Sequence, residues 1–223
     1  LDRVLNNAKS MNMVVRQSRQ EIEELVQDTL NQNSFDAMEC SIMILLAGTK
    51  PIDASALITD MPIDLFIIIT PIKVYSSKSY QEGISLGLFE YERPYAELKT
   101  PFTYFGGLKA QHAVVRNTHY DEALYTSNNM ILEGTTFSFF GIMNDGTIIT
   151  SPTDGKILKS VTRLVLLDLL KKSELKVSES YFSIEKALAC KEAFIASSTR
   201  DIIPVTSIQG HSIGDGLVGE HTR

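Results

Sequence analysis

Positive charge, cysteine and long apolar runs are all scarce in this sequence, and each scarcity removes a class of function. Lys and Arg number 21 against 27 Asp and Glu, a net charge of −6, and no basic run interleaves with aromatics. Nucleic acid is therefore not an expected partner, although a local basic pocket could still hold one phosphate. The longest apolar runs, Ser41 to Gly48 and Leu65 to Thr70, fall far short of the roughly 20 residues that span a bilayer. No signal peptide is visible either, so a membrane partner is not expected. Cys40 and Cys190 form no spaced motif and suit a reducing cytoplasm. His112, His119, His211 and His221 lack ligand spacing and stand apart from the cysteines, so no metal is expected. There is no G-x-S-x-G elbow, G-x-G-x-x-G or P-loop, which removes sequence support for hydrolase, dinucleotide-binding and nucleotide-triphosphatase readings.

What remains is an ordinary globular composition, 43% hydrophobic and 22% charged over 223 residues, enough for one large or two smaller domains. Leu1, Val4, Leu5, Ala8 and Met11 recur at helical spacing, and Ser18 with Glu21 reads as a capping box for a helix carrying Ile22, Leu25, Val26 and Leu30. Because the chain opens at Leu1 inside a helical pattern, a preceding segment is expected. Ser41–Ala47 and Asp64–Thr70 read as buried strands, giving a small α/β unit. Pro71 to Gly83 has linker composition. From Ile84 the alternation predicts a strand running toward Arg93 and Pro94, with Lys99 just after it. Tyr104 to Arg116 suits a helix. Strands near Ala123–Tyr125, Met130–Glu133, Ser138–Met143 and Thr147–Thr150, with turns at Asn128-Asn129 and Asn144-Asp145-Gly146, read as an antiparallel meander. Ser160 is the expected cap of a helix over Val161–Lys172 and Ser183 of another reaching Ala189. A strand from Glu192 into Ser197-Ser198-Thr199 and a hairpin of Pro204–Ile208 with His211–Ile213 close the pattern.

Taken singly, the chemistry-bearing residues say little. Ser160-Val161-Thr162-Arg163 opens a helix and could hold an anion, as most helix starts could. Ser197-Ser198-Thr199 could add hydroxyl donors, or form a polar loop. Lys99 reads as a surface lysine, Glu133 as a turn carboxylate, Tyr104 as a half-buried aromatic and Arg3 as a face residue of the first helix. Paired, Lys99 and Glu133 carry more, since a lysine amine can hold an aldehyde as a Schiff base and a carboxylate can keep a pyridine nitrogen protonated.

In order, Leu-Asp-Arg3-Val-Leu-Asn-Asn-Ala-Lys9, Glu97-Leu-Lys99-Thr-Pro-Phe-Thr-Tyr104, Ile131-Leu-Glu133-Gly-Thr-Thr-Phe-Ser-Phe-Phe140, Ile157-Leu-Lys-Ser-Val-Thr-Arg163 and Phe194-Ile-Ala-Ser-Ser-Thr-Arg-Asp-Ile-Ile-Pro204-Val resemble the class IV aminotransferases, a family of branched-chain and D-amino-acid aminotransferases and aminodeoxychorismate lyase. The resemblance covers essentially the whole chain. It implies an α/β fold of type IV with two domains: residues 1–75 as a small, truncated α/β domain, and 76–223 as a larger domain with a mainly antiparallel, barrel-like sheet. The implied cofactor is pyridoxal 5′-phosphate, in the cleft between domains usually completed by a homodimer. Lys99 resembles the Schiff-base lysine that also moves the substrate proton, Glu133 the pyridine-nitrogen partner, and Tyr104 the tyrosine bonded to the ring's phenolic oxygen. Arg3, the N–H groups of Val161 and Thr162, and the Ser198 hydroxyl fall where the family holds the phosphate, and Leu158 where an apolar residue packs on the ring. Ser160, Lys159 and Ser138 depart from the family's frequent residues. Leu45-Leu-Ala-Gly-Thr-Lys50 matches no substrate-carboxylate block. The implied function is amino transfer between an amino acid and a 2-oxo acid in the cytoplasm. Elimination of pyruvate from aminodeoxychorismate, and a non-catalytic binding module with the same fold, stand as alternatives.

Overall fold

The computed structural model describes residues 1–33, 39–48, 63–72 and 75–223. The chain forms two compact units, Leu1–Lys73 and Val74–Arg223.

The first unit opens with α1 (Asp2–Ser10) and α2 (Arg19–Asn31). Ser18 starts α2 as a reciprocal capping box: its hydroxyl accepts from the Glu21 N–H, and the Glu21 carboxylate accepts from the Ser18 N–H at 2.7 Å. Ile22, fully buried, is the anchor of the helix's inner face. Two strands follow, β1 (Cys40–Ala47) and β2 (Asp64–Pro71), paired antiparallel from Cys40↔Pro71 to Ala47↔Asp64. They lie where the two apolar runs predict them, but they are not the buried strands expected. Every residue of both is half-buried or exposed, Met43 at 54%, because among the described residues the two pair only with each other and an apolar run does not encode what covers it. The expected block Leu45–Lys50 begins on β1, while Thr49 and Lys50 lie outside the described residues.

The second unit begins with a helix rather than a linker. Within Pro71 to Gly83, expected as linker, Ser77–Glu82 form α3. The serines that suggested a linker are its cap and first turn, since the Ser76 hydroxyl accepts from the Ser79 N–H. Next comes β3 (Ile84–Glu90), which ends well before Lys99; residues 94–97 turn the chain, so Lys99 follows a loop rather than a strand. A 3-10 turn (Pro101–Tyr104), α4 (Phe105–Ala110) and wider π-type turns (Gln111–Arg116) then run end to end. The predicted helix is there, starting earlier because Pro101 suits a first helical position.

The remaining elements are β4 (Glu122–Ser127), β5 (Met130–Gly134), β6 (Ser138–Ile142), β7 (Ile148–Thr150), α5 (Val161–Lys172), β8 (Val177–Glu179), α6 (Ile184–Leu188), β9 (Glu192–Ser197), β10 (Asp201–Ile208) and β11 (His211–Ser212). β3 to β11 form one nine-stranded sheet in the order β5-β4-β3-β10-β9-β6-β7-β8, with β11 on β10. β4–β5 and β6–β7 are the expected antiparallel hairpins. The meander does not continue between them, because β6 pairs with β9 and leaves β5 at the sheet edge. Hairpin turns are local signals, whereas the partner of β6 is set by distant residues. β3 is flanked by parallel partners, β4 and β10, and β7 pairs parallel with β8, a strand too short to stand out in the sequence.

The sheet curls. The Ile131 N–H of edge strand β5 donates to the Phe182 carbonyl, and the Ile184 N–H to the Asn129 carbonyl. The Ser151 hydroxyl after β7 donates to the Ile131 carbonyl at 2.6 Å. These bonds draw β5 toward the opposite end of the strand order. The concavity is filled by Leu86, Leu124, Ile131, Phe139, Ile149, Ile195 and Ile203 among others. Outside it, α5 packs Leu167 against Phe140 and Phe194, whose rings stack at 4.9 Å.

Candidate active site

Four backbone segments of the second unit meet at Glu133. The first is β5, which carries the glutamate one residue before its end at Gly134; Glu133 is 6% exposed. A carboxylate that deep must be bonded or protonated, and this one is bonded on both oxygens. Arg93 Nη2 donates to Oε1 at 2.6 Å, and the Leu158 N–H donates to Oε2 at 3.0 Å. Burial pushes the Glu133 carboxyl above its ordinary value, against the opposing effects of Arg93, the Leu158 N–H and the charge of Lys99. The net result is a carboxylate with high proton affinity, suited to hold a protonated ring nitrogen.

The second segment is the loop from Tyr91 to Thr100. Arg93 is buried, anchored by Nη2 to the Ala96 carbonyl at 2.8 Å, with its guanidinium 4.9 Å from the centre of the Tyr104 ring. Thr103 pins the carbonyls on both sides of Lys99, donating to Leu98 O and Thr100 O. Lys99 thus rises from a fixed backbone with an exposed side chain. The third segment is the 3-10 turn ending at Tyr104, and behind it Tyr91 and Tyr125 meet edge to face at 5.2 Å. Burial raises the Tyr125 hydroxyl, which stays protonated beside Arg93 and Glu133.

The fourth segment runs from Leu158 into α5. Its cap is Ser160, whose hydroxyl accepts from the Arg163 N–H at 3.3 Å. Beyond the cap, Thr162 Oγ1 and Ser198 Oγ lie 3.1 Å apart, so the start of α5 and the turn after β9 present two hydroxyls together. The N–H groups of Val161 and Thr162 belong to the first turn, which has no helix carbonyls to bond.

Of the sequence-predicted residues, Glu133 and Leu158 are in direct contact, Lys99 acts on Glu133 through its charge, and Tyr104 joins them through Arg93. Thr162 and Ser198 form the second cluster, next to Val161. Arg3 stands on α1 in the first unit. Leu158 meets Glu133 through its backbone, a contact beyond the apolar role expected of it. Arg93 was not foreseen. Its only sequence signal is an arginine before proline within an otherwise aromatic block, and no spacing rule marks such a residue as the partner of Glu133.

The donor set fits pyridoxal 5′-phosphate. It offers an amine for the aldehyde, a buried, braced carboxylate for the ring nitrogen, and paired hydroxyls at a helix start for the phosphate. Among the described residues no His, Cys, Asp or Glu cluster could hold a metal ion, and no helix is long and apolar enough to cross a membrane.

The family model described as amino-transferase class IV matches residues 1–208. A D-alanine aminotransferase of Bacillus licheniformis is 33% identical over 102 residues, 46% of this chain and 36% of that protein. One of Listeria monocytogenes serotype 1/2a is 24% identical over 224 residues, 100% of this chain and 76% of that protein. The matched stretch thus spans well under half the length of the first of these relatives. A branched-chain amino acid aminotransferase of Escherichia coli shares the fold at a TM-score of 0.86 and 23% identity, over 99% of this chain and 74% of its own. Another, solved with pyridoxamine 5′-phosphate, does so at 0.87 and 21%, over 99% and 73%.

Proposed function

Because this chain belongs to the class IV aminotransferase family, we propose that it moves an amino group between an amino acid and a 2-oxo acid with pyridoxal 5′-phosphate. The observation that carries the reading is Glu133, buried yet bonded by Arg93 and the Leu158 N–H while the charge of Lys99 bears on it. A surface turn carboxylate has no use for such bracing.

The cofactor, when bound, supplies an electron sink for the pair released as the substrate Cα–H breaks. Lys99 Nζ would hold it covalently, and the same amine would serve as the base and acid that carries the proton at the substrate Cα. Glu133 would bond the ring nitrogen, and Arg93 with the Leu158 N–H keeps its carboxyl aimed. Tyr104, placed against the Arg93 guanidinium, would donate to the phenolic oxygen. Thr162, Ser198 and the N–H groups of Val161 and Thr162 would hold the phosphate, and Leu158 would border the ring. Arg3 is assigned to the phosphate by its sequence block alone.

The test is direct. The purified protein with added cofactor should absorb in the visible, and borohydride should fix the cofactor to Lys99. Lys99→Ala should lose the fixation, with turnover falling by at least ~100-fold, the low end for a proton-transfer group. Fixation that survives unchanged in Lys99→Ala sinks the assignment. Release of pyruvate with no 2-oxo acid present would instead identify the lyase chemistry.

The partner we propose is a second copy. Phe102, Phe105 and Leu108, at i, i+3 and i+6 of the helical run after Lys99, are 85%, 63% and 71% exposed. Leu108 also lines an open surface pocket of about 420 Å³ together with Lys109, His112, Ala113 and Asn117. Apolar side chains beside a hole suit a self-complementary contact. The cysteines are free, as a reducing cytoplasm would keep them.

A further inference from the structure

Arg163 is fully buried, the largest side chain of the core to be so. Nη2 donates to the Ser151 carbonyl at 2.7 Å and to Glu179 Oε2 at 3.1 Å. Nε and Nη1 have no partner among the described residues. A guanidinium with two unmet donors in the interior weakens a fold more than it strengthens it, so its contribution must be sought in what it connects.

It closes a ring of contacts. From Glu133, Oε2 accepts from the Leu158 N–H at 3.0 Å; the Leu158 carbonyl accepts from the Ser160 N–H at 2.8 Å; and the Ser160 hydroxyl accepts from the Arg163 N–H. The Arg163 side chain then reaches Ser151, whose hydroxyl donates to the carbonyl of Ile131, two residues before Glu133 on β5. Thr162, with its hydroxyl on Ser198, stands beside Arg163 in the same helix turn. One end of this ring is the carboxylate for the ring nitrogen and the other is the helix start for the phosphate. The Arg163 side chain thus braces the short stretch from Leu158 to Ser160, beside a longer link through the β6–β9 pairing that ends near Ser198. Glu179, held from the far end of α5 by Lys171 at 3.2 Å, fixes the guanidinium's own position.

We propose that Arg163 is a positioning residue that sets the span between the phosphate end and the ring-nitrogen end of the cofactor site. It touches neither end of the ligand. Its effect is to let one rigid molecule engage both ends at once, which is where most of a two-point ligand's affinity arises. The inference rests on the cofactor assignment above.

Fragments separate this role from general support of the fold. Pyridoxal probes the ring end alone, inorganic phosphate the helix end alone, and pyridoxal 5′-phosphate the span. In Arg163→Lys, which keeps the charge but loses the two-way fork, affinity for the whole cofactor should fall about 10–100-fold, while each fragment binds within about 2-fold of wild type. Ser151→Ala, which breaks the ring at its other joint without burying a charge, should shift the three ligands in the same pattern and to a smaller extent. Parallel weakening of all three ligands, or an unchanged cofactor affinity in a folded Arg163→Lys protein, overturns the proposal. Should Arg163→Lys not fold, Ser151→Ala decides on the same criteria. Wild-type protein that binds pyridoxal and phosphate no better than serum albumin would instead overturn the cofactor assignment, and the span with it.

Discussion

Arg93 Nη2 lies 2.6 Å from Glu133 Oε1, with both side chains under a tenth exposed. Each charge is tolerable in that place only because of the other. Removing one partner from a buried pair costs roughly 3–5 kcal/mol, because the survivor stays buried without compensation. Arg93→Met should therefore destabilise the protein by about that much, and Glu133→Gln similarly, while the double variant should regain a good part of the sum. Denaturant unfolding of the four proteins measures the coupling. Additive effects would show that the two charges are solvated independently.

That pair also marks the boundary of what the sequence could tell. Ser18, Ser160 and Ser183 each accept from the backbone N–H three residues on and begin their helices where the sequence places them. A cap is a bond between near neighbours, so its signal is written locally. Glu133, Lys99 and Tyr104 were legible only through the blocks around them. Arg93 was not, because 40 residues separate it from Glu133 and nothing in the intervening chain encodes the approach. The same limit hid the break between β5 and β6. Their connection is short enough to suggest a hairpin, but β6 finds its partner in β9, more than 50 residues later. Ser76 shows the converse failure, where polar composition concealed a helix start.

Glu192 gives a pH dependence of defined sign. Burial pushes its carboxyl up, but bonds from His221 and Thr222 outweigh that and hold it below the ordinary range. Its oxygens accept from the backbone N–H of both residues and from the Thr222 hydroxyl at 3.0 Å, pinning residues 221 and 222 to β9. A depressed folded-state pKa contributes stability that is complete above the ordinary glutamate value of about 4.3 and lost as pH falls through the folded one. Hydrogen exchange at His221 and Thr222, taken relative to the intrinsic amide rate at each pH, should therefore be slow at neutral pH and accelerate below about pH 4. Glu192→Gln should remove that acid step and cost about 1.5–3 kcal/mol at pH 7, as for hydrogen bonds to a charged group. Equal acceleration in wild type and variant would mean that another group holds the tail.

Self-association should respond to the helical run that follows Lys99. Phe102→Asp with Leu108→Glu places two charges where apolar side chains are exposed, so it should leave the fold intact and weaken a dimer by several kcal/mol, since charge at an interface core is poorly tolerated. Sedimentation velocity at micromolar concentration should show the wild type at twice the monomer mass and the variant at one. A wild type that sediments as a monomer would remove these residues from any interface with a second copy.

Gly134 tests how tightly the Glu133 strand end is built. A Cβ at this position would collide with the Phe137 ring, which is buried in the concave core and faces the Arg200 guanidinium at 5.6 Å. The ring cannot swing outward without losing both contacts, so Gly134→Ala must displace either Phe137 or the backbone next to Glu133. Overpacking of this kind costs about 1–3 kcal/mol. If the ring moves, Gly134→Ala with Phe137→Leu should recover much of the stability, and cofactor affinity should stay near wild type throughout. If the backbone moves, the second change recovers little, and the cofactor should bind more weakly, because the carboxylate is carried off its line with Arg93 and the Leu158 N–H. The Phe137 ring is packed on two sides and strand β5 lies at a sheet edge, so the backbone is the softer element. The expected result is thus incomplete rescue of stability together with weakened cofactor binding, and full rescue by Phe137→Leu would show that the edge strand is the stiffer of the two.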